Sequence, residues 1–247
     1  MVKLNKIVKS FGRLRALDGV DLDLSKGAVT GLIGPNGSGK TTLVNIMTGI
    51  YAADSGEVII KGKNLSRASA ESIAGLGVAR TFQNIRIFKR MTVLENVVAA
   101  LLAGKKWGEA KLLSSAMSVK DPKLEKACEA LETLGLQDKQ KLLAEDLPLP
   151  LRRRLEIARA LARDPEMILL DEPAGGMTPS ETAELADLIS QRVAPGRTCV
   201  VIEHKMDLIS EICSHLVVLH HGEKIAEGEP GRVLGLSRVV EAYLGKA

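Results

Sequence analysis

A glycine-rich stretch near the start of the chain limits the possible folds more than any other feature. Residues 34–42 read Gly-Pro-Asn-Gly-Ser-Gly-Lys-Thr-Thr and fit the pattern G-x-x-x-x-G-K-[ST]. The apolar run from Ala28 to Ile33 predicts a short buried strand, and Thr42 to Gly49 predicts a helix that glycine ends. A strand, a glycine loop and a helix in this order indicate an α/β fold.

The residue types in this loop suit the binding of phosphate groups. Glycines let backbone N–H groups approach phosphate oxygens without a Cβ in the way. The helix N-terminus adds positive potential, the Lys40 ammonium can reach β- and γ-phosphates, and the Thr41 hydroxyl can hold Mg²⁺. The residues expected around the bound group are Gly34, Asn36, Gly37, Ser38, Gly39, Lys40, Thr41 and Thr42. The loop therefore predicts binding of a nucleoside triphosphate.

Size and composition fit one large α/β domain or two small ones. The 247 residues, 45% of them hydrophobic, can bury a sizeable core. The formal charge of +4 is small for this length, so we expect no nucleic-acid partner. The N-terminal segment has no apolar signal core, and the longest apolar run, Val97 to Ala103, is too short to span a bilayer. Any role at a membrane is therefore expected to come through a partner.

The cysteines give no sign of a disulfide framework or a zinc site. They are Cys128, Cys199 and Cys213, too few and too irregularly spaced for either. Cys199 opens an apolar run, which favours a buried, reduced thiol.

Segments of alternating apolar residues precede the glycine-rich loop. Leu4 to Val8 and Leu17 to Leu24 are interpreted as short antiparallel strands, with glycine turns at Gly12, Gly19 and Gly27.

Two more strand-like runs follow the loop, Ser55 to Gly62 and Val78 to Gln83. Gln83 alone is uninformative, and its interest comes from its place between the loop and the next motif. Phe11, among the first strands, is by itself an ordinary core or edge-strand aromatic. Only the later motifs favour its stacking on a base.

The middle of the chain is mostly helical. Thr92 and Glu95 form a capping-box pattern, and Asp121 with the following proline opens another helix. We interpret residues of about 91–163 as a helical subdomain inserted into a single domain of 1–247, whose core lobe comprises about 1–90 and 164–247. The predicted helices run from Thr92 through Leu102, from Pro122 to Gly135 and from Arg152 to Ala162, with a polar, less regular stretch at Lys105 to Lys120.

Carboxylates follow the next buried strand. Met167 to Leu170 runs into Asp171 and Glu172. Asp171 is expected to hold Mg²⁺, directly or through water. Glu172 is expected to polarise an attacking water, a role worth typically ~10²–10⁴ in rate. The strand Thr198 to Ile202 leads to His204, and ligands of parallel sheets collect at the carboxyl ends of the strands.

The ordered set of these features, over nearly all of the chain, resembles the ATP-binding subunit of an ABC transporter. The resemblance implies an α/β P-loop NTPase (RecA-like) core with an N-terminal antiparallel β subdomain and an inserted helical subdomain. It implies ATP and Mg²⁺ as cofactors and Phe11 as the residue that stacks on adenine. It gives Glu172, His204 and Gln83 catalytic roles. Gln83 senses the γ-phosphate and the membrane partner, His204 contacts the γ-phosphate, and the metal would be held by Thr41, Gln83 and Asp171.

Four segments look like those of high-affinity branched-chain amino acid importers. They are Ala79 to Phe88, Asp171 to Met177, Ile202 to His204 and Val240 to Gly245. Those systems pair two different ATPase subunits with two permeases and a periplasmic solute-binding protein. The resemblance implies a peripheral subunit on the cytoplasmic face of the membrane that hydrolyses ATP to power import of branched-chain or related amino acids. Lys205 departs from the acidic residue that is common there.

A second departure concerns the signature motif, Leu-Ser-Gly-Gly-Gln or a close variant. Leu147 to Leu151 stands in its place, and Pro148 and Pro150 have no amide hydrogen for the γ-phosphate of a partner subunit. Losing three hydrogen bonds of roughly 1.5–3 kcal/mol each would remove on the order of 5–9 kcal/mol of dimer closure, an upper bound because such contributions are not additive. Arg152 or Arg153 could offer substitute charge, although cations oppose the helix dipole there.

The consequence is asymmetric, because the motif acts on the nucleotide of the other subunit. We therefore expect a heterodimer whose second, different ABC ATPase subunit supplies an intact signature motif. Two other functions stay open: a nucleotide-gated subunit with weak hydrolysis, and an importer of another small solute. A soluble ABC ATPase acting on DNA or ribosomes is disfavoured, because the chain lacks a long coiled coil, a second cassette and a basic groove.

Overall fold

The computed structural model describes residues 2–102 and 121–244, and the stretch Lys105 to Lys120 lies outside them. Its strands, in chain order, are β1 (Val2–Phe11), β2 (Leu14–Leu24), β3 (Val29–Ile33), β4 (Ser55–Ile60), β5 (Lys63–Asn64), β6 (Val78–Arg80), β7 (Met167–Asp171), β8 (Thr198–Ile202), β9 (His215–His220) and β10 (Glu223–Gly228). Its α-helices are α1 (Lys40–Met47), α2 (Ala70–Gly75), α3 (Val93–Leu102), α4 (Pro122–Thr133), α5 (Leu149–Leu161), α6 (Pro179–Leu188), α7 (Met206–Ile212), α8 (Pro230–Leu234) and α9 (Ser237–Leu244).

An antiparallel sheet covers the N-terminal part, as predicted. Its strand order is β2-β1-β4-β5. The turn predicted at Gly19 is wrong, because this glycine lies inside β2. The pairing shifts there from Ile7 opposite Val20 to Lys9 opposite Leu17, so one strand has an extra residue. The φ of Gly19, +69°, fits such a bulge, where a left-handed backbone favours glycine.

A second, mostly parallel sheet forms the centre of the fold. Its order is β10-β9-β3-β8-β7-β6, with only β10 antiparallel to its neighbour. Every residue of β3, β7 and β8 is buried, which matches their uninterrupted apolar sequences. β6 is shorter than the predicted run, since Gln83 lies in the loop after it. The carboxyl ends of the parallel strands meet at one edge of the sheet.

The helical block packs on this sheet through a shared core. Val93, Ala127 and Leu155 of the block belong to the same apolar cluster as Ile168 and Leu185 of the α/β part. The block therefore adds to the core and does not form one of its own. The division into lobes remains an interpretation.

The third predicted helix of this block starts earlier than expected. α5 begins at Leu149, not at Arg152. Pro148 is its N-cap and has an extended backbone, and Pro150 lies in the first helical turn, where a proline is tolerated. Part of the segment that replaces the signature motif is thus helical.

Burial of the thiols agrees with the sequence. Cys199 and Cys213 are buried and Cys128 is half-buried, and all three are free. Burial raises the pKa of Cys213 to about 12, and it raises the pKa of Cys199 as well. These two thiols therefore stay protonated and inert near neutral pH.

No helix within residues 2–102 and 121–244 combines the length and the apolar character needed to cross a bilayer.

Asn96 is a fully buried polar side chain that fixes the entry to α3. Its Oδ1 accepts a hydrogen bond from the Phe88 N–H at 2.8 Å. Its Nδ2 donates to the carbonyls of Phe88 at 2.9 Å and Thr92 at 3.0 Å. The side chain therefore links the loop at Phe88 to the start of α3 through three hydrogen bonds to the backbone.

Asn96→Ala should lower the free energy of unfolding by roughly 1–3 kcal/mol, because the Phe88 N–H loses its acceptor and the carbonyls of Phe88 and Thr92 each lose one of two donors. Denaturant unfolding of the purified chain measures this. Asn5→Ala, at an exposed position, is the matched control and should change the free energy by less than about 0.5 kcal/mol. Equal effects of the two substitutions would contradict the role given to Asn96.

Candidate active site

The glycine-rich loop joins β3 to α1, and two of its glycines are required by close contacts. A Cβ on Gly34 would lie 2.1 Å from the carbonyl oxygen of Leu219. A Cβ on Gly39 would lie 2.7 Å from the carbonyl oxygen of Ala16. Gly39 also has a φ of +104°, which disfavours any other residue. The loop is therefore clamped between the antiparallel sheet and β9.

Lys40 is the central cation of the loop. Its Nζ donates to the carbonyl oxygens of Gly34 at 2.7 Å and Pro35 at 2.9 Å. Burial lowers the pKa of Lys40, and the carboxylates of Glu172 and Asp171 act in the opposite direction. The Lys40 ammonium group thus lies inside the curve of the glycine loop and interacts electrostatically with both carboxylates.

A cleft of about 400 Å³ opens above the loop, and its size suits a small-molecule ligand. It collects the side chains that the sequence predicts for the site, with the exception of Gly34, which lies behind it. The predicted residues that line it are Phe11, Asn36, Gly37, Ser38, Gly39, Lys40, Thr41, Thr42, Gln83, Asp171, Glu172 and His204.

The three predicted catalytic side chains meet at one carboxylate oxygen. Oε1 of Glu172 accepts a hydrogen bond from Nε2 of Gln83 at 3.0 Å and lies 3.4 Å from Nε2 of His204. The Glu172 N–H donates to the carbonyl of Ile202 at 2.9 Å. Its φ of +48° is costly for a residue with a side chain, typically ~1–3 kcal/mol, and the surrounding structure must offset this. Glu172 is therefore held in place as a candidate base.

Phe11 stands at the end of β1 and is not part of the core. Its side chain is 43% exposed and faces the cleft. The Tyr51 ring contacts it edge-on, with 5.4 Å between ring centroids. An exposed ring at the rim of a phosphate-binding cleft can stack on a base.

The oxygen groups at the cleft fit a magnesium ion. Thr41 supplies a hydroxyl, Gln83 an amide oxygen and Asp171 a carboxylate. Within the described ranges no group of three or more His, Cys, Asp or Glu side chains is placed so that it could hold a metal ion by itself. Mg²⁺ is commonly held by one or two protein groups together with substrate phosphates, so such a sparse donor set suits it.

Two buried charged residues of the site were missed by sequence reasoning. Nη2 of Arg80 donates to Oδ2 of Asp171 at 2.8 Å. Oε1 of Glu203 accepts from the Ala174 N–H at 2.8 Å, and Oε2 accepts from the His204 N–H at 2.9 Å. Both residues lie inside or directly after an apolar strand, and this position could have drawn attention to them. Charged side chains are rarely buried unless they are paired, so each would be expected to have a partner.

Lys205 has a structural role that its sequence position did not reveal. Its Nζ donates to the carbonyl of Met177 at 2.7 Å and to Oγ1 of Thr182 at 2.9 Å. Lys205 thereby ties the segment that carries His204 to the segment after Glu172.

The segment in the position of the signature motif offers few donors. The N-cap of α5, Pro148, makes no side-chain capping hydrogen bond. Arg152 donates to the carbonyls of Leu147 and Glu145, each at 2.6 Å. Arg153 donates to the carbonyl of Gln83 at 2.9 Å. Each guanidinium group therefore donates at least one of its N–H groups to a carbonyl of this chain.

Comparisons with known proteins agree with this geometry. A family model described as "ABC transporter" matches residues 17–175. The high-affinity branched-chain amino acid transport ATP-binding protein LivG of Escherichia coli K12 is 37% identical over 251 residues, with 100% of this chain and 98% of that protein covered.

Solved structures show the same fold. An ATP-binding cassette of an ABC transporter in its ADP conformation is 36% identical with a TM-score of 0.88, and the match covers 100% of this chain and 99% of that one. A dimeric bacterial ABC transporter cassette is 26% identical with a TM-score of 0.78, covering 93% and 99%. A glycine loop, a carboxylate pair and a histidine converge on one cleft in a chain that matches these proteins along its whole length. The chain belongs to the ABC transporter family, as an ATP-binding subunit with ATPase activity.

Proposed function

We propose that this chain hydrolyses MgATP to power the import of branched-chain or related amino acids through a membrane transporter. The observation that carries the proposal is the convergence of Gln83 and His204 on Oε1 of Glu172, at the mouth of the glycine-loop cleft. The solute class rests on relatives that are named for branched-chain amino acid transport.

The side chains divide the work of hydrolysis as follows. Backbone N–H groups of the loop and Lys40 bind the β- and γ-phosphates, and Phe11 stacks on adenine. Mg²⁺, when bound, neutralises phosphate charge, and Thr41, Asp171 and Gln83 are its proposed ligands. Glu172 accepts a proton from the water that attacks the γ-phosphorus. His204 contacts the γ-phosphate and keeps the Glu172 carboxylate oriented.

The proposed membrane partner docks in a groove beside α5. The groove has a volume of about 400 Å³ and is lined by α2, β6 and the start of the following loop, including Phe82. Glu156 accepts hydrogen bonds from the N–H groups of Phe82 and Arg86, at 3.2 and 3.4 Å. Arg153 holds the carbonyl of Gln83 in the same loop. A permease segment in the groove would therefore touch the loop that carries Gln83.

This arrangement makes the chain a peripheral subunit on the cytoplasmic face of the membrane. The permease subunits connect it to a solute-binding protein on the other side.

The second proposed partner is a different ATPase subunit with an intact signature motif. Pro148 and Pro150 remove two amide donors from the N-terminus of α5, and the arginines that follow bind carbonyls. The nucleotide of the partner subunit thus meets a poor surface, whereas the nucleotide of this chain meets the partner's motif. One strong site per heterodimer follows.

Glu172→Gln should lower transport by about 10²–10⁴-fold, because the amide cannot take a proton from water. The measurement is uptake of labelled leucine by vesicles that contain the permeases, both ATPase subunits and the binding protein. Glu227→Gln is the control, because Glu227 pairs with Lys224 at an exposed position, and it should transport normally. Unchanged uptake with Glu172→Gln would leave a nucleotide-gated subunit as the better description. If the vesicles do not take up leucine but do take up another solute, the proposed solute class is wrong.

Restoring the signature motif should make the chain dimerise with itself. In a Glu172→Gln background, which retains ATP, the substitutions Pro148→Ser, Leu149→Gly, Pro150→Gly and Leu151→Gln return the lost donors. Light scattering after gel filtration with MgATP should then give a homodimer, whereas the Glu172→Gln chain alone stays monomeric. Adding Lys40→Ala should abolish the dimer. A homodimer without the restored motif would refute the asymmetric assignment.

A further inference from the structure

Arg80 is a buried cation next to the nucleotide cleft, and no role proposed above uses it. It is the last residue of β6, the edge strand of the parallel sheet. Its side chain is only 8% exposed, and that of its partner Asp171 is 6% exposed. Two charges are seldom buried this deeply unless their geometry is good, because both lose their hydration.

The guanidinium group bridges two elements of the site. Nη2 donates to Oδ2 of Asp171, at the end of β7, at 2.8 Å. Nη1 donates to Oδ1 of Asn45, in α1, at 2.5 Å. The Phe82 ring lies against the group, 5.0 Å from ring centroid to Cζ. A planar group with several fixed N–H donors holds both partners in a defined relative geometry, which a lysine ammonium does not impose.

The bridge joins Asp171 to the helix that carries Thr41, another expected metal ligand. Asn45 lies one helical turn after Thr41 in α1, so the bridge ties the backbone of this helix to Asp171. The Asp171 N–H also donates to Oγ1 of Thr81 at 3.1 Å, which anchors the backbone of the same residue. With Oδ2 held by Arg80, the carboxylate has a restricted rotation.

We propose that Arg80 is a positioning residue of the magnesium site, which orients the Asp171 carboxylate relative to α1. The inference rests on the proposed function, in which Asp171 and Thr41 hold Mg²⁺ beside ATP. Without Arg80, Oδ2 of Asp171 loses its guanidinium donor and the carboxylate is free to rotate away from the metal position. Metal binding is then weakened, whereas the contacts of the glycine loop and Lys40 with the phosphates are retained.

Nucleotide binding as a function of Mg²⁺ tests this without measuring turnover. The full chain is titrated with a fluorescent ATP analogue, first in EDTA and then at increasing Mg²⁺, for the native protein, Arg80→Met and Arg80→Lys. Arg80→Met should keep the dissociation constant in EDTA within about twofold and raise the half-saturating Mg²⁺ concentration at least about fivefold. Arg80→Lys should give a half-saturating Mg²⁺ concentration between those of the native protein and Arg80→Met.

The control is Arg67→Met, an exposed arginine that lines neither the nucleotide cleft nor the groove beside α5, and it should titrate like the native chain. If Arg80→Met does not fold, Asn45→Ala removes the α1 end of the bridge and should raise the half-saturating Mg²⁺ concentration about two- to threefold.

The double variant Arg80→Met with Asp171→Asn tests whether the loss of stability in Arg80→Met comes from leaving the Asp171 charge unpaired. This variant should regain the melting temperature lost with Arg80→Met, because no buried charge is left unpaired, but not the Mg²⁺ response. A native Mg²⁺ titration in folded Arg80→Met would overturn the inference and leave the proposed function standing. Nucleotide binding by the native chain that is independent of Mg²⁺ would overturn both.

Discussion

Parallel hydrogen bonding among β3, β7 and β8 is the constraint on which the site depends. Ile202 at the end of β8 pairs with Leu32 of β3 on one side and with Asp171 of β7 on the other. The glycine loop, the carboxylates and His204 therefore leave the sheet at the same edge. The next backbone contact, from the Glu172 N–H to the Ile202 carbonyl, extends the pairing into the catalytic residue itself.

Sequence alone predicted what depends on local pattern. The glycine loop, the buried strands and the acidic pair after β7 follow from motif and apolar runs, and the structure brings them together. Arg80 could not be assigned, because its partner Asp171 is 91 positions away and pairing between distant charges leaves no local signal. The start of α5 was misplaced because prolines disfavour a helix interior but suit a first turn. Gly19 indicated a turn because a bulge requires the same backbone freedom.

The cleft of this chain collects the residues proposed for its own part of the site, whereas the segment proposed to face a partner's nucleotide contains two prolines. Pro148 caps α5 without a side-chain hydrogen bond, and Arg152 and Arg153 fold back on carbonyls. Each lost hydrogen bond to a phosphate is worth roughly 1.5–3 kcal/mol, enough to weaken closure of a symmetric dimer decisively. We therefore propose that this chain pairs with an unlike subunit, an arrangement that would leave one site fully functional.

Steady-state hydrolysis of MgATP by the purified chain tests this asymmetry most directly, with Lys40→Ala as the blank. We expect the chain alone to hydrolyse ATP at the level of the blank, because a homodimer would contain two depleted signature segments. Addition of a partner subunit with an intact motif should then restore hydrolysis. Strong hydrolysis by the chain alone that rises with its concentration would show that residues 147–151 still close a site, and the asymmetric account would be wrong.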